Sequence, residues 1–74
     1  MALEKITVHI HSSPVELYKV LKFEGLVSSG AEAKLVISDG QVTVNGTTET
    51  RKRRKLVAGD QIQFAEYLLT LIMD

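Results

Sequence analysis

Apolar and polar residues alternate from Lys5 to Ile10, with Ile6, Val8 and Ile10 on one face and Lys5, Thr7 and His9 on the other. That period of two predicts a half-buried strand. The pattern then changes. Ser12-Ser13-Pro14-Val15-Glu16 has the form of a helix start, with Ser13 as N-cap, Pro14 at the first helical position and Glu16 closing a capping box. Leu17, Val20 and Leu21 follow at helical spacing and Gly25 offers a left-handed cap, which predicts a first helix from Pro14 to Glu24. Ser28 or Ser29 opens a second helix, Ser29 and Glu32 repeating the capping-box spacing. Ala33, Val36 and Ile37 form its inner face, Ala31 and Leu35 widen it, and Asp39-Gly40 closes it. The linker from Gly25 to Val27 is so short that the two helices must pack on each other.

After Gly40 the period returns to two. Val42 and Val44 alternate with Gln41 and Thr43, and Asn45-Gly46 is a strong signal for a type I′ hairpin turn. The return strand is expected from Thr47 to Thr50, running into Arg51-Lys52-Arg53-Arg54-Lys55. If that run stays extended, Arg51, Arg53 and Lys55 face one way and Lys52 and Arg54 the other. Ala58-Gly59-Asp60 reads as a turn, Gln61 to Phe64 as a strand, and Ala65 to Tyr67 as another turn. Leu68 to Met73 is apolar on both faces apart from Thr70, so it belongs inside the sheet, beside the Lys5 to Ile10 strand. The elements add up to an α+β fold: two short helices on a small, mostly antiparallel sheet, in a single domain of 74 residues.

Charge changes this picture from a generic small domain to a candidate binder. The run Arg51 to Lys55 holds five of nine basic residues in a chain of zero formal net charge, leaving the remainder at −5. A block of like charge repels itself until an anion neutralises it, which points to phosphates; the plain alternative is a solvated loop. The chain has no Cys, hence no disulfide or thiolate site, and no run long enough to span a membrane, so the expected setting is the cytoplasm.

Leu17-Tyr18-Lys19-Val20-Leu21, Gly25-Leu26-Val27-Ser28-Ser29, Ala33-Lys34-Leu35-Val36-Ile37, Gly40, Val42-Thr43-Val44-Asn45-Gly46 and Gly59-Asp60-Gln61-Ile62 occur in this order along the chain. From Leu17 to Ile62 the chain resembles the αL RNA-binding domain family, named for the small-subunit ribosomal protein numbered four, and in particular its small stand-alone bacterial members. The resemblance implies a helix pair on a small sheet with RNA across the helices and the neighbouring hairpin. It also implies that Lys19 and Lys34 stand where the family commonly carries basic residues facing RNA, with Lys22 one turn from Lys19. Two departures stand out: the family usually has Arg where this chain has Glu16 and where it has Gly30. The basic surface is therefore expected to have moved from the second helix toward the hairpin return.

Taken together, the residues expected to bind RNA are Lys19, Lys22, Lys34, Arg51, Lys52, Arg53, Arg54 and Lys55. The partner implied by the family is structured RNA, as ribosomal RNA, a ribosomal particle or precursor, or tRNA, read by shape and backbone; DNA and membranes are not expected, and the chain is expected to be monomeric. The alternative from another class is a protein-interaction module whose basic loop docks on an acidic partner. Tyr18 can stack on a base, but packing is the simpler role in a chain with two Tyr, two Phe and no Trp. His9-x-His11 has the spacing of some metal ligands, yet no Cys or nearby carboxylate pair accompanies it, so no metal or cofactor is expected. Ser28 and Ser29 are capping residues without a base at motif spacing, and no catalytic constellation is present.

Overall fold

The structure, a computed structural model, describes residues 3–74. Strand β1 (Glu4–Ile10) is followed by a two-residue strand β2 (Val15–Glu16), helix α1 (Leu17–Phe23) and helix α2 (Gly30–Ser38). Then come β3 (Val42–Val44), β4 (Thr47–Thr48), β5 (Lys55–Leu56), β6 (Gln61–Phe64) and β7 (Tyr67–Met73). Five strands form one sheet in the order β1-β7-β6-β3-β4, and β2 pairs with β5 in a separate ribbon. The β1–β7 pairing is parallel and the others are antiparallel. This is the α+β architecture expected, with β7 inside the sheet and beside β1.

The helices lie on one face only. Val8 and Ile10 of β1, Val42 and Val44 of β3, Ile62 of β6 and Leu69 and Leu71 of β7 meet Leu17, Val20 and Leu21 of α1 and Ala33 and Ile37 of α2 in one buried cluster. Each is at most 6% exposed, and burying an aliphatic side chain of this size contributes about 1.5–3 kcal/mol. Leu35, expected to widen the inner face of α2, is instead 66% exposed, because at 100° per residue it lies on the side of the helix opposite the buried Ala33 and Ile37. Likewise β7 is not sheltered on both faces. Leu69 and Leu71 are buried, while Ile72 on the opposite face and Met73 at the end of the strand reach solvent.

Both helices end with glycine in the left-handed region, Gly25 at φ 71° and Gly40 at φ 80°. The amides of Leu26 and Gln41 reach back to the carbonyls of Leu21 and Val36, the bond pattern of a Schellman cap. At the start of α2 Ser29 caps the helix as expected, while the return bond of the box goes to the amide one residue earlier. The Ser29 hydroxyl accepts from the Glu32 amide at 3.1 Å, and Glu32 Oε1 accepts from the Ser28 amide at 2.8 Å.

The first helix departs from expectation. It starts at Leu17, not Pro14, and no side chain caps it. Val15 and Glu16 are extended and pair with Leu56 and Lys55. The Ser13 capping pattern is overridden because the chain from the basic run comes back to satisfy this end of the helix: Leu17 donates to the Arg54 carbonyl at 3.0 Å and Tyr18 to the Lys52 carbonyl at 3.2 Å.

The Asn45-Gly46 turn is as expected, both residues at positive φ (51° and 85°), but the return strand ends at Thr48 and does not run to Thr50. Asn45 does more than turn. Its side chain donates to Asp60 at 3.1 Å and accepts from the Gln61 amide at 2.9 Å, joining the hairpin tip to the Gly59-Asp60 turn.

Candidate nucleic-acid interface

The basic run is not extended. Arg54 donates its amide to the Arg51 carbonyl at 3.3 Å, closing a turn, and only Lys55 enters a strand. The expected split into two alternating faces is therefore replaced by another grouping, for a local electrostatic reason. Glu49, directly before the run, is 6% exposed and accepts four hydrogen bonds. Arg51 gives three of them, from its amide at 2.9 Å and from Nε and Nη2 at 3.0 Å each; Arg54 Nη1 gives the fourth at 2.7 Å. A carboxylate so buried needs all of these partners, and it draws Arg51 and Arg54 to one side. The guanidinium hydrogen bonds, Arg51 first and Arg54 second, hold its carboxyl far below the usual carboxylate range, although burial opposes them.

Glu16 organises the rest. Its carboxylate lies 3.2 Å from Lys19 Nζ and 3.9 Å from Arg53 Nε, and Lys55 stands opposite it across the β2–β5 pair. The hydrogen bond from Lys19, with the charges of Lys19, Lys55 and Arg53, lowers its pKa despite some burial. So Glu16, where the resemblance implied Arg, gathers cations from α1 and from the loop. Lys52 projects from the tip of the turn, exposed and without an ion pair among the described residues.

Tyr18 connects this loop to the helices. Its amide holds the Lys52 carbonyl, Lys34 Nζ lies 4.8 Å from its ring centroid and Lys19 Nζ 6.0 Å. Gly30, the other departure, faces the same place: a Cβ there would meet Lys22 Cδ and Tyr18 Cε2 at 3.9 Å each. Lys19, Lys22 and Lys34 thus gather around Tyr18, next to the loop. Tyr18 is partly buried against the core with a lysine over its ring, which is a packing role. Arg51, Arg53, Arg54 and Lys55 line one open cleft.

Glu49 was not singled out from the sequence. A signal was present, since residues two apart on a strand share a face and Glu49 stands two before Arg51. In an extended run Arg54 would point away from Glu49; the turn that Arg54 closes on Arg51 brings it back.

The His pair has a different use. Nδ1 of His9 and of His11 lie 2.8 and 3.1 Å from the two carboxylate oxygens of Asp74, so the pair meets the end of the chain. Among the described residues, no group of three His, Asp or Glu is arranged to hold a metal ion. Nor is any helix among them long and apolar enough to cross a membrane.

A helix pair packed on one face of a small sheet, with a basic loop bonded to the start of the first helix, defines an αL-type module. Residues 8–71 match the S4 domain, and the chain belongs to that family. It is similar to YbcJ of Escherichia coli, a candidate RNA-binding protein by its name, with 46% identity over 72 residues, covering 97% of this chain and 99% of that one. The solution structure of E. coli YbcJ, described as revealing an αL motif involved in RNA binding, superimposes with a TM-score of 0.70 over 89% of this chain and 85% of that chain, at 46% identity. A Bacillus subtilis protein, RlbA, named for a candidate role in ribosome maturation, is 32% identical over 56 residues, 76% of this chain and 79% of its own.

Proposed function

We propose that this chain binds structured RNA without catalysing a reaction, through Arg51, Lys52, Arg53, Arg54 and Lys55 together with Lys19, Lys22 and Lys34. The observation that carries this reading is the bonding of the basic turn to the first turn of α1. It sets eight cations on adjoining surfaces of a scaffold shared with a protein described as carrying an RNA-binding motif. The whole chain acts as one RNA-binding unit.

The surface suits phosphates and ribose better than base edges. Arginine forks and lysine ammonium groups match phosphate oxygens, and an A-form duplex hides its base edges in a deep, narrow groove. Recognition is then mainly of shape and backbone. Ribosomal RNA, in a subunit or its precursor, is the favoured target, in line with the ribosome-maturation name of RlbA, with tRNA as the other structured candidate. Such partners place the protein in the cytoplasm.

The test is direct binding to a structured ribosomal RNA fragment, to the DNA of the same sequence and to an acidic protein of matched charge, with co-sedimentation on ribosomal subunits alongside. Preference for RNA supports the reading. Equal binding to RNA and DNA would remove the role of the 2′-hydroxyl, and binding to the acidic protein alone would make the basic turn a protein-docking site.

A further inference from the structure

Glu49 is the only buried charged side chain among the described residues, and it sits beside the most basic stretch of the chain. By net charge alone it is misplaced. One anion next to five cations weakens the attraction for a polyanion, and burying it carries a desolvation cost. The geometry shows what it does in return. Its two oxygens bind the backbone, Nε and Nη2 of Arg51 and Nη1 of Arg54, so two guanidinium groups that would repel each other are held side by side.

Neither guanidinium is used up. Nη1 of Arg51, and Nε and Nη2 of Arg54, make no hydrogen bond among the described residues. The Arg51 side chain remains 74% exposed and that of Arg54 32%. Both open onto the cleft that they share with Arg53 and Lys55. Such an arrangement presents a fixed pair of forks to a phosphate, with the ordering of two long side chains completed before the ligand arrives.

We infer that Glu49 is a positioning residue for phosphate recognition: by locking Arg51 and Arg54 over the cleft, its negative charge strengthens the binding of RNA. This rests on the RNA reading above. It also gives the loop a division of labour. Arg51 and Arg54 form a paired fork for one backbone phosphate, and Lys52, Arg53 and Lys55 supply further charge around it.

Two substitutions separate positioning from net charge. Glu49→Gln removes a negative charge and so raises the net charge of the loop by one, and Glu49→Asp keeps the charge but is one methylene too short to span both guanidiniums. Binding to a structured ribosomal RNA fragment is measured for parent and variants at several salt concentrations, after circular dichroism confirms that each is folded. Positioning predicts that both variants bind about tenfold more weakly, the size expected when two long side chains must be ordered during binding. It also predicts that Arg51→Ala costs affinity in the parent and little in the Glu49→Gln background. A purely structural role for Glu49 would not produce that coupling.

Arginine Nε–H resonances give a readout that needs no RNA: a distinct, protected Arg51 signal in the parent should merge with the exposed arginines in both variants. If Glu49→Gln does not fold, the Asp variant decides. Parent-like or tighter binding by a folded variant overturns the inference. A parent that binds no RNA overturns the functional reading instead.

Discussion

Leu17 donates its backbone hydrogen to the Arg54 carbonyl at 3.0 Å, so the first turn of α1 and the basic turn form one structural unit. The helix uses the loop as its cap, and the loop uses the helix as its anchor. Charge at the loop is thereby presented from the folded scaffold and not from a free segment, and several consequences are measurable.

Capping should differ between the two helices. Ser29→Ala removes the acceptor of the Glu32 amide and should cost about 1 kcal/mol in a urea titration. Ser13→Ala should change stability by less than about 0.5 kcal/mol, because α1 begins four residues later and is satisfied by loop carbonyls. Equal losses would mean that Ser13 caps a helix after all.

Leu56 is fully buried although its strand has only two residues. Leu56→Ala should cost about 2–5 kcal/mol by guanidinium denaturation, as for a core leucine, and a loss below about 1 kcal/mol would show that β5 does not anchor the loop.

Acid should weaken the protein through Glu49. Its folded pKa is depressed below the ordinary value of 4.5, so its contribution is fully present above that value and is lost as pH falls below it toward the folded pKa. Between pH 7 and 5.5 this group should add no pH dependence. Glu49→Gln should be less stable near neutrality by about 1–2 kcal/mol, less than for a fully enclosed ion pair because both arginines reach water. The gap between parent and variant should close as pH drops below 4. A constant gap across this range would show that the carboxylate is not held by its arginines.

Asn45 should matter beyond its turn. Asn45→Ala places a less suitable residue at φ 51° and removes bonds to Asp60 and Gln61, with an expected loss of about 1–3 kcal/mol by thermal denaturation. Asn45→Gly, which keeps the conformation and loses the bonds, should fall between parent and Ala; if it matches the parent, the bonds to the Gly59-Asp60 turn contribute nothing.

The parts of the fold that local rules determine were legible from the chain. Ile6, Val8 and Ile10 alternate because one face of β1 meets the core, Gly25 and Gly40 mark Schellman caps, and Asn45-Gly46 needs positive φ twice. Contacts distant in sequence were not legible in the same way. Ser13-Pro14-Val15-Glu16 carries a sound capping pattern, but Leu56 and Lys55, some 40 residues on, pair with Val15 and Glu16 and turn that segment into a strand. The site divides likewise. The cations of the loop are plain from composition, whereas their grouping depends on Glu49 and Glu16, whose partners are set by a turn that alternation alone does not reveal.

Binding of RNA phosphates by the loop cations is read from the salt dependence of RNA affinity. The variant to compare is Lys52→Ser/Arg53→Ser/Lys55→Ser, which leaves the Glu49–Arg51–Arg54 cluster intact. Each phosphate contact contributes roughly −0.9 to the slope of log affinity against log salt on a duplex, so losing three should make it shallower by roughly 2.7. That loss of slope is expected, with weaker binding and the fold retained. A folded variant with the parent's affinity and slope would contradict it.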